Sequence, residues 1–159
     1  MDSRYDKNAN TLFRLISKVI NNSSISNLNL TEEEWKTVFT LARAHNILPL
    51  IFESASENSN FIASPDYQSL MFETMTAVAS QARRTESFLS LYKQLLKADL
   101  HPVVMKGIIC RQLYGDYCDL SPSGDEDILI RKSEYEQVQQ ILQGNRYRSV
   151  VIRGNARSH

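Results

Sequence analysis

The chain has 159 residues, which is enough for one ordinary domain with a hydrophobic core. Hydrophobic residues make up 42% of it and charged residues 23%, a balance that is typical of a globular protein and excludes an intrinsically disordered one. The formal net charge is zero, so the composition gives no reason to expect general binding to nucleic acid or to membranes.

The sequence indicates neither export nor membrane insertion. The first thirty residues lack the apolar core of a signal peptide, and no apolar run approaches the roughly 20 residues that a membrane span needs. The two cysteines, Cys110 and Cys118, have no histidine near them in the sequence, so neither a disulfide framework nor a zinc site is expected. We therefore expect a protein of the reducing cytoplasm.

Residues 1–100 are predicted to form a helical N-terminal region. Glycine is absent from the first 106 residues, and apolar side chains recur there at helical spacing. Thr31 and Glu34 form a capping-box pattern, which marks the start of a helix just before Trp35. We expect Trp35 to anchor the core or an interface.

A long helix is predicted in the second half of this region. Ser64 followed by Pro65 is typical of a helix start, with the proline at the first helical position. The apolar residues that follow keep a helical period to about Leu96. We expect residues 70–96 to be helical and to pack against the helix that carries Trp35.

Residues 101–159 show strand and turn signals in place of the helical period. Val103 to Met105 predict a short buried strand at the centre of a sheet. Gly107 is expected to start a helix that continues to Tyr114, and residues 115–124 have the composition of a loop.

Three elements are predicted after this loop. Asp127 to Ile130 indicate a second strand. Ser133 and Glu136 form another capping-box pattern, for a helix that ends at Gly144. Residues 147–152 are a candidate third strand.

Two carboxylates stand one residue apart at the start of the second predicted strand. Because side chains alternate along a strand, Asp125 and Asp127 are expected to face one side and Glu126 the other. Oxygen ligands in this arrangement suit Mg²⁺ or Mn²⁺, which also bind substrate phosphates. The alternative is a solvated acidic turn before a strand.

Lys106 and Gly107 form a second candidate site, on the turn between the first strand and the next helix. The lysine charge and the backbone N–H groups of the turn could hold the phosphates of a nucleotide. The alternative is a turn glycine beside a surface lysine. Arg111, one turn further on, could also reach a phosphate, although an exposed arginine on a helix face is the favoured interpretation.

These motifs carry a resemblance to a known family. The stretch from Val103 to Tyr147 resembles the core of the nucleotidyltransferase superfamily, which shares the palm of DNA polymerase β, and is similar in particular to a bacterial group of nucleotidyltransferase family proteins. The matching residues are Val103-Val104-Met105-Lys106-Gly107, Leu113-Tyr114 and Asp125-Glu126-Asp127-Ile128-Leu129-Ile130, and in the helical region Thr31-Glu32-Glu33-Glu34-Trp35, Ala42-Arg43-Ala44-His45 and Leu48-Pro49-Leu50.

The resemblance implies an α/β (α+β) fold, in which the helical region precedes a minimal nucleotidyltransferase core with a small mixed sheet of three strands. It implies transfer of a nucleoside monophosphate from a nucleoside triphosphate to a hydroxyl acceptor, with Mg²⁺ or Mn²⁺. Asp125 and Asp127 would be the catalytic metal ligands, and Lys106 and Gly107 would bind the nucleotide.

The chain departs from the family pattern at several positions. Ser121 stands where the family tends to have arginine, Glu126 where it has an apolar residue, and Ile108 where the wider superfamily has serine or glycine. A third carboxylate is expected on a later strand, yet no aspartate or glutamate follows Glu136.

These departures favour an alternative function. The core over residues 101–159 would then be incomplete, a truncated or N-terminal portion of such a protein or a degenerate domain that serves as a binding or assembly module without catalysis. Two carboxylates are few for holding two metal ions, so the sequence predicts poor transfer or none by the 159-residue chain alone.

Overall fold

A computed structural model describes residues 3–21 and 28–147 of the chain. Helices dominate, and a small sheet follows the longest of them. The helices are α1 (Ser3–Asn21), α2 (Glu32–Ala44), α3 (Leu48–Ala55), α4 (Ser59–Ile62), α5 (Tyr67–Lys97), α6 (Ile108–Gln112) and α7 (Tyr135–Gly144), and the strands are β1 (Val103–Val104) and β2 (Ile128–Leu129). This confirms the helix-rich α/β class. None of the described helices is both long and apolar enough to cross a membrane.

The first core lies among α1, α2, α3, α4 and the start of α5. The Thr31 side chain and the Glu34 side chain cap α2 reciprocally, which confirms the capping box. Trp35 is 3% exposed and its ring lies 5.0 Å from that of Phe61, between centroids. Aromatic burial of this kind contributes heavily to core stability, so the expected core role of Trp35 is confirmed.

Helix α5 spans 31 residues and joins both parts of the fold. Residues 70–96 are helical as predicted, although the helix begins at Tyr67 rather than at Pro65, with Asp66 in the N-cap position. It packs on α3. It also meets α2, because Leu70 shares the first core with Trp35.

A second core forms where α5, the sheet and α7 meet. Its buried members are Leu91, Leu95, Leu100 and Val138. Helix α7 ends at Gly144 as predicted, but its start differs from the expectation: Arg131 donates its backbone N–H to Glu134, and the short 3₁₀-helix Lys132–Glu134 precedes α7.

The sheet is less buried than predicted. β1 and β2 pair antiparallel, with Val103 opposite Leu129 and Val104 opposite Ile128. Val103 is 59% exposed and Met105 62%, so the expectation of a strand at the sheet centre is wrong. Among residues 3–21 and 28–147, one face of this pair packs on the second core, through Ile128, and the alternate side chains point away from that core. The candidate third strand, after Tyr147, lies outside the described residues.

The segment between the strands also differs from the prediction. α6 ends at Gln112, short of Tyr114, and the expected loop contains the 3₁₀-helix Gly115–Leu120. Periodicity does not reveal so short a helix, because its two turns are too few for a repeat of apolar residues to be detected.

Candidate functional site

Residues 125–127, which lead directly into β2, present two carboxylates on one side of the chain. The Lys106 ammonium lies 3.1 Å from Oδ2 of Asp125 and 3.2 Å from Oδ2 of Asp127. The sheet register causes this arrangement, since Met105, next to Lys106, donates its backbone N–H to the Asp127 carbonyl at 2.9 Å. The structure thus brings together three of the predicted site residues, with the Lys106 ammonium in contact with both aspartates.

These three side chains are open to solvent. Lys106 and Asp127 are each 49% exposed and Asp125 is 66% exposed. Hydrogen bonds to Asp125 and Asp127 raise the pKa of Lys106 above its ordinary value. Exposed ion pairs of this kind contribute little to stability, so a bound ion or phosphate could replace them at small cost.

Glu126 faces the opposite side of the strand start, as alternation requires. One of its carboxylate oxygens accepts the backbone N–H of Ile108 at 2.6 Å, and the other accepts a hydrogen bond from Arg111 at 2.9 Å. Glu126 therefore ties the start of β2 to the first turn of α6, and it uses an N–H that the sequence had suggested for phosphate.

Arg111 is buried, at 5% exposure, so the favoured expectation of an exposed helix-face arginine is wrong. Besides Glu126 it donates to Thr85 on α5 at 2.9 Å and contacts the Ser123 hydroxyl. Ser123 in turn donates its backbone N–H to Gln81 on α5 at 3.0 Å. This network fixes the turn that carries Lys106 and Gly107 against α5.

Gly107 occupies a conformation that other residues rarely adopt. Its φ is 73° and its ψ is −114°. A Cβ atom added there would lie 2.0 Å from Oε2 of Glu126 and 2.8 Å from the Asp125 carbonyl oxygen. Glycine is required both by the backbone and by the close approach of the strand start.

Sequence reasoning missed Arg111 and its partners on α5 as a structural unit. A signal was present: Glu126 is a charged residue at a position expected to be apolar, and such a residue must find a cation when it is buried. Arg111 is one of the few basic residues between the two strands, but the sequence does not show which face of α6 packs on α5.

The side chains fit one cation better than a complete two-metal centre. Lys106 demonstrates that a single positive group can contact both aspartates at once. In the described residues, no group of three or more His, Cys, Asp or Glu side chains is placed to hold a metal ion. Water and phosphate oxygens usually complete the shell of Mg²⁺, so two carboxylates are sufficient protein ligands for one ion.

Comparison with known proteins gives one result at the level of the family. A family model described as "uncharacterised nucleotidyltransferase" matches residues 31–156. No curated protein matches the chain, and neither does any solved structure. The match includes the helices α2 to α5 as well as the strands and the Lys106 turn. It covers most of the sequence, and the chain therefore belongs to this nucleotidyltransferase family.

Proposed function

We propose that this protein binds a nucleoside triphosphate with Mg²⁺ or Mn²⁺ at Asp125 and Asp127, and transfers the nucleoside monophosphate to a hydroxyl acceptor. The observation that carries the proposal is the shared contact of both carboxylates with the Lys106 ammonium at 3.1 and 3.2 Å. One cation already bridges the two carboxylates there, and a divalent ion fits the same donors.

Each residue has a distinct part in this proposal. Asp125 and Asp127 would hold the ion, which when bound would neutralise phosphate charge and promote ionisation of the acceptor hydroxyl. Lys106, released from the carboxylates, would pair with a phosphate oxygen. Gly107 allows the close turn that keeps Lys106 beside β2.

The reaction would be an exchange at the α-phosphorus. The acceptor oxygen forms a bond to that phosphorus, and the bond from the phosphorus to the bridging oxygen breaks. Pyrophosphate leaves, and the hydroxyl proton passes to solvent. Positioning and electrostatic stabilisation account for most of the catalysis in phosphoryl transfer, which is the work that charged side chains at this strand start would perform.

A binding or assembly module without catalysis is the second candidate. The supporting observation is that, among the described residues, no third carboxylate joins Asp125 and Asp127 to hold a metal ion. Nucleotide affinity can survive the loss of chemistry, because phosphate contacts and transition-state stabilisation are separable. This candidate keeps Lys106 and the two aspartates as ligands but removes the transfer step.

Transfer of labelled nucleotide from each of the four nucleoside triphosphates tests the proposal. The assay contains Mg²⁺ or Mn²⁺, and the acceptors are the protein itself and the components of a cell extract. We expect slow transfer by the 159-residue chain, since two carboxylates are few ligands for holding two metal ions in place. Asp127→Asn should abolish it, whereas the control Asp119→Asn, at an exposed position on the 3₁₀-helix, should not.

Two outcomes separate the candidates. Triphosphate binding without any labelled product would favour the binding module. Transfer that is equal in wild type and Asp127→Asn would place the chemistry elsewhere and contradict the proposed site.

A further inference from the structure

A cavity of about 700 Å³ opens between α5 and the start of β2. Asp125 forms part of its wall, together with Ser123 and Gly124. Lys106 and Asp127 are not among the described residues that line it. Asp125 therefore both lines this cavity and contacts Lys106, which lies outside the lining. The volume is in the range of small-molecule sites, which is roughly 300–1,000 Å³.

One wall of the cavity is positively charged. Arg83 and Arg84 lie next to each other on α5, both are exposed, and both line the cavity. Among the described residues, neither forms an ion pair; Arg84 makes one hydrogen bond, 3.2 Å long, to the amide oxygen of Gln81. Other arginines here, such as Arg43 and Arg111, are paired with carboxylates. Two unpaired guanidinium groups in a concave wall favour an anionic ligand, and arginine matches phosphate geometry well.

The floor of the cavity is apolar. Phe88 and Leu91 are buried members of α5, and Ile128 from β2 and Leu142 from α7 also line the cavity. Such a floor suits a ring or a hydrocarbon body rather than a second charged group. The charged wall and the apolar floor together favour a ligand with one anionic end and one apolar end.

We propose that this cavity binds the acceptor of the transfer reaction, a small hydroxyl compound that carries a phosphate group on an apolar or ring-shaped body. The phosphate pairs with Arg83 and Arg84, and the body lies on Phe88 and Leu91. The hydroxyl end then lies toward Asp125, across from the Lys106 side. The acceptor role rests on the proposed function, whereas the binding preference rests on the cavity alone.

Calorimetric titration with three probes tests the binding preference, with no nucleotide or metal present. Pyridoxine 5′-phosphate combines ring, hydroxyl and phosphate, pyridoxine lacks the phosphate, and inorganic phosphate lacks the ring. We expect pyridoxine 5′-phosphate to bind at least about tenfold more tightly than either of the others, since only this probe contacts both the arginines and the apolar floor. Equal affinity for all three, or no binding at millimolar concentration, would overturn the proposal.

Two pairs of variants locate the binding. Arg83→Gln/Arg84→Gln should weaken pyridoxine 5′-phosphate about tenfold or more, while Arg14→Gln, an exposed arginine on α1, should leave it unchanged. Ser87→Phe should block the cavity, whereas Ser90→Phe, also exposed on α5 but away from the lining, should not. Equal effects within either pair would contradict the site. Circular dichroism checks that each variant folds.

Binding of pyridoxine 5′-phosphate and transfer of nucleotide are measured separately, so the cavity and the proposed function can fail independently. Asp127→Asn should leave pyridoxine 5′-phosphate binding within about twofold of wild type, because Asp127 does not line the cavity. If that binding holds while Asp127→Asn fails to affect transfer, the proposed metal site is wrong and the cavity stands. If the arginine variants bind the probe normally while Asp127→Asn abolishes transfer, the cavity proposal is wrong and the proposed function stands.

Discussion

At the scale of single residues, the turn at Gly107 is the most demanding position in the site. Gly107→Ala should destabilise the protein by roughly 2–4 kcal/mol, since the backbone conformation is strained for alanine and the new Cβ would meet Glu126. Gly115→Ala is the matched control: its φ of 56° is also positive, but no atom lies within 4 Å of the added Cβ. It should cost only about 1 kcal/mol. Urea unfolding measures both, and equal losses would mean that the contact with Glu126 is unimportant.

Glu126 and Arg111, whose side chains are 14% and 7% exposed, form an ion pair that should behave as a unit. Removing one charge leaves the other buried and unpaired, so Glu126→Leu and Arg111→Leu should each cost about 3 kcal/mol. The double variant should cost much less than the sum, because two apolar side chains can replace a buried pair. Urea unfolding of the three variants gives the coupling energy.

An exposed pair provides the comparison for this coupling. Lys36 and Glu32 lie one helical turn apart on α2 with both side chains about half exposed. The same double-variant cycle there should give less than about 1 kcal/mol. A coupling of similar size at both pairs would contradict the assignment of Glu126 and Arg111 as a buried structural link.

The sequence predicted part of this geometry and missed part of it, for one physical reason. Strand alternation is a local property, so it correctly separated Glu126 from Asp125 and Asp127. The partners of Glu126 come from α6 and α5, and their approach depends on packing between distant segments. Burial of Arg111 could not be predicted from local spacing. The role of the aspartates as metal ligands remains a prediction.

At the scale of elements, α2 depends on the charge of Glu34. The hydrogen bond from Lys7, followed by that from the Thr31 backbone, lowers the pKa of Glu34 from 4.5 to about 2. The folded state therefore binds this proton less readily than the unfolded state. Its stabilisation is complete above about pH 4.5 and is lost as the pH falls toward 2.

Glu34→Gln tests this pH dependence. The variant should lose about 1 kcal/mol at pH 7, the usual contribution of a helix cap, and the difference from wild type should shrink below pH 4 and nearly vanish at about pH 2. Glu33→Gln, on the exposed face of the same first turn, should match wild type throughout. Thermal unfolding between pH 2 and 7 measures all three proteins. A constant difference at every pH would show that the charge of Glu34 is not responsible.

Long elements were predicted well and short ones poorly. The helical period over residues 70–96 spans many turns, so it identifies α5 without tertiary information. β1 and β2 have two residues each, and their exposure depends on what packs on each face of the sheet. Val103 was predicted to lie in a central strand because the run from Val103 to Met105 is apolar. In the structure its side chain is 59% exposed and lies on the face opposite the second core.

At the scale of the whole molecule, α5 connects two separate cores. Leu15 belongs to the first core and Leu95 to the second, and each is 1% exposed. Replacing either with alanine should cost about 2–5 kcal/mol. The expected distinction is local: Leu95→Ala should raise amide hydrogen exchange in β1, β2 and α7, and Leu15→Ala in α1 to α3. Identical exchange patterns would mean that the chain opens as a single unit. The boundary at residue 100 remains a prediction.

The central claim is that Asp125 and Asp127 together bind a divalent ion with a nucleotide. Electron paramagnetic resonance titration of Mn²⁺ tests it most directly, with and without a non-hydrolysable triphosphate. Wild type should bind Mn²⁺ weakly alone and at least about tenfold more tightly with the nucleotide, since phosphate oxygens complete the shell. Asp125→Asn/Asp127→Asn should lose this binding, and the control Asp116→Asn/Asp119→Asn, two exposed acids on the 3₁₀-helix, should keep it. Equal Mn²⁺ binding by wild type and by Asp125→Asn/Asp127→Asn would contradict the claim.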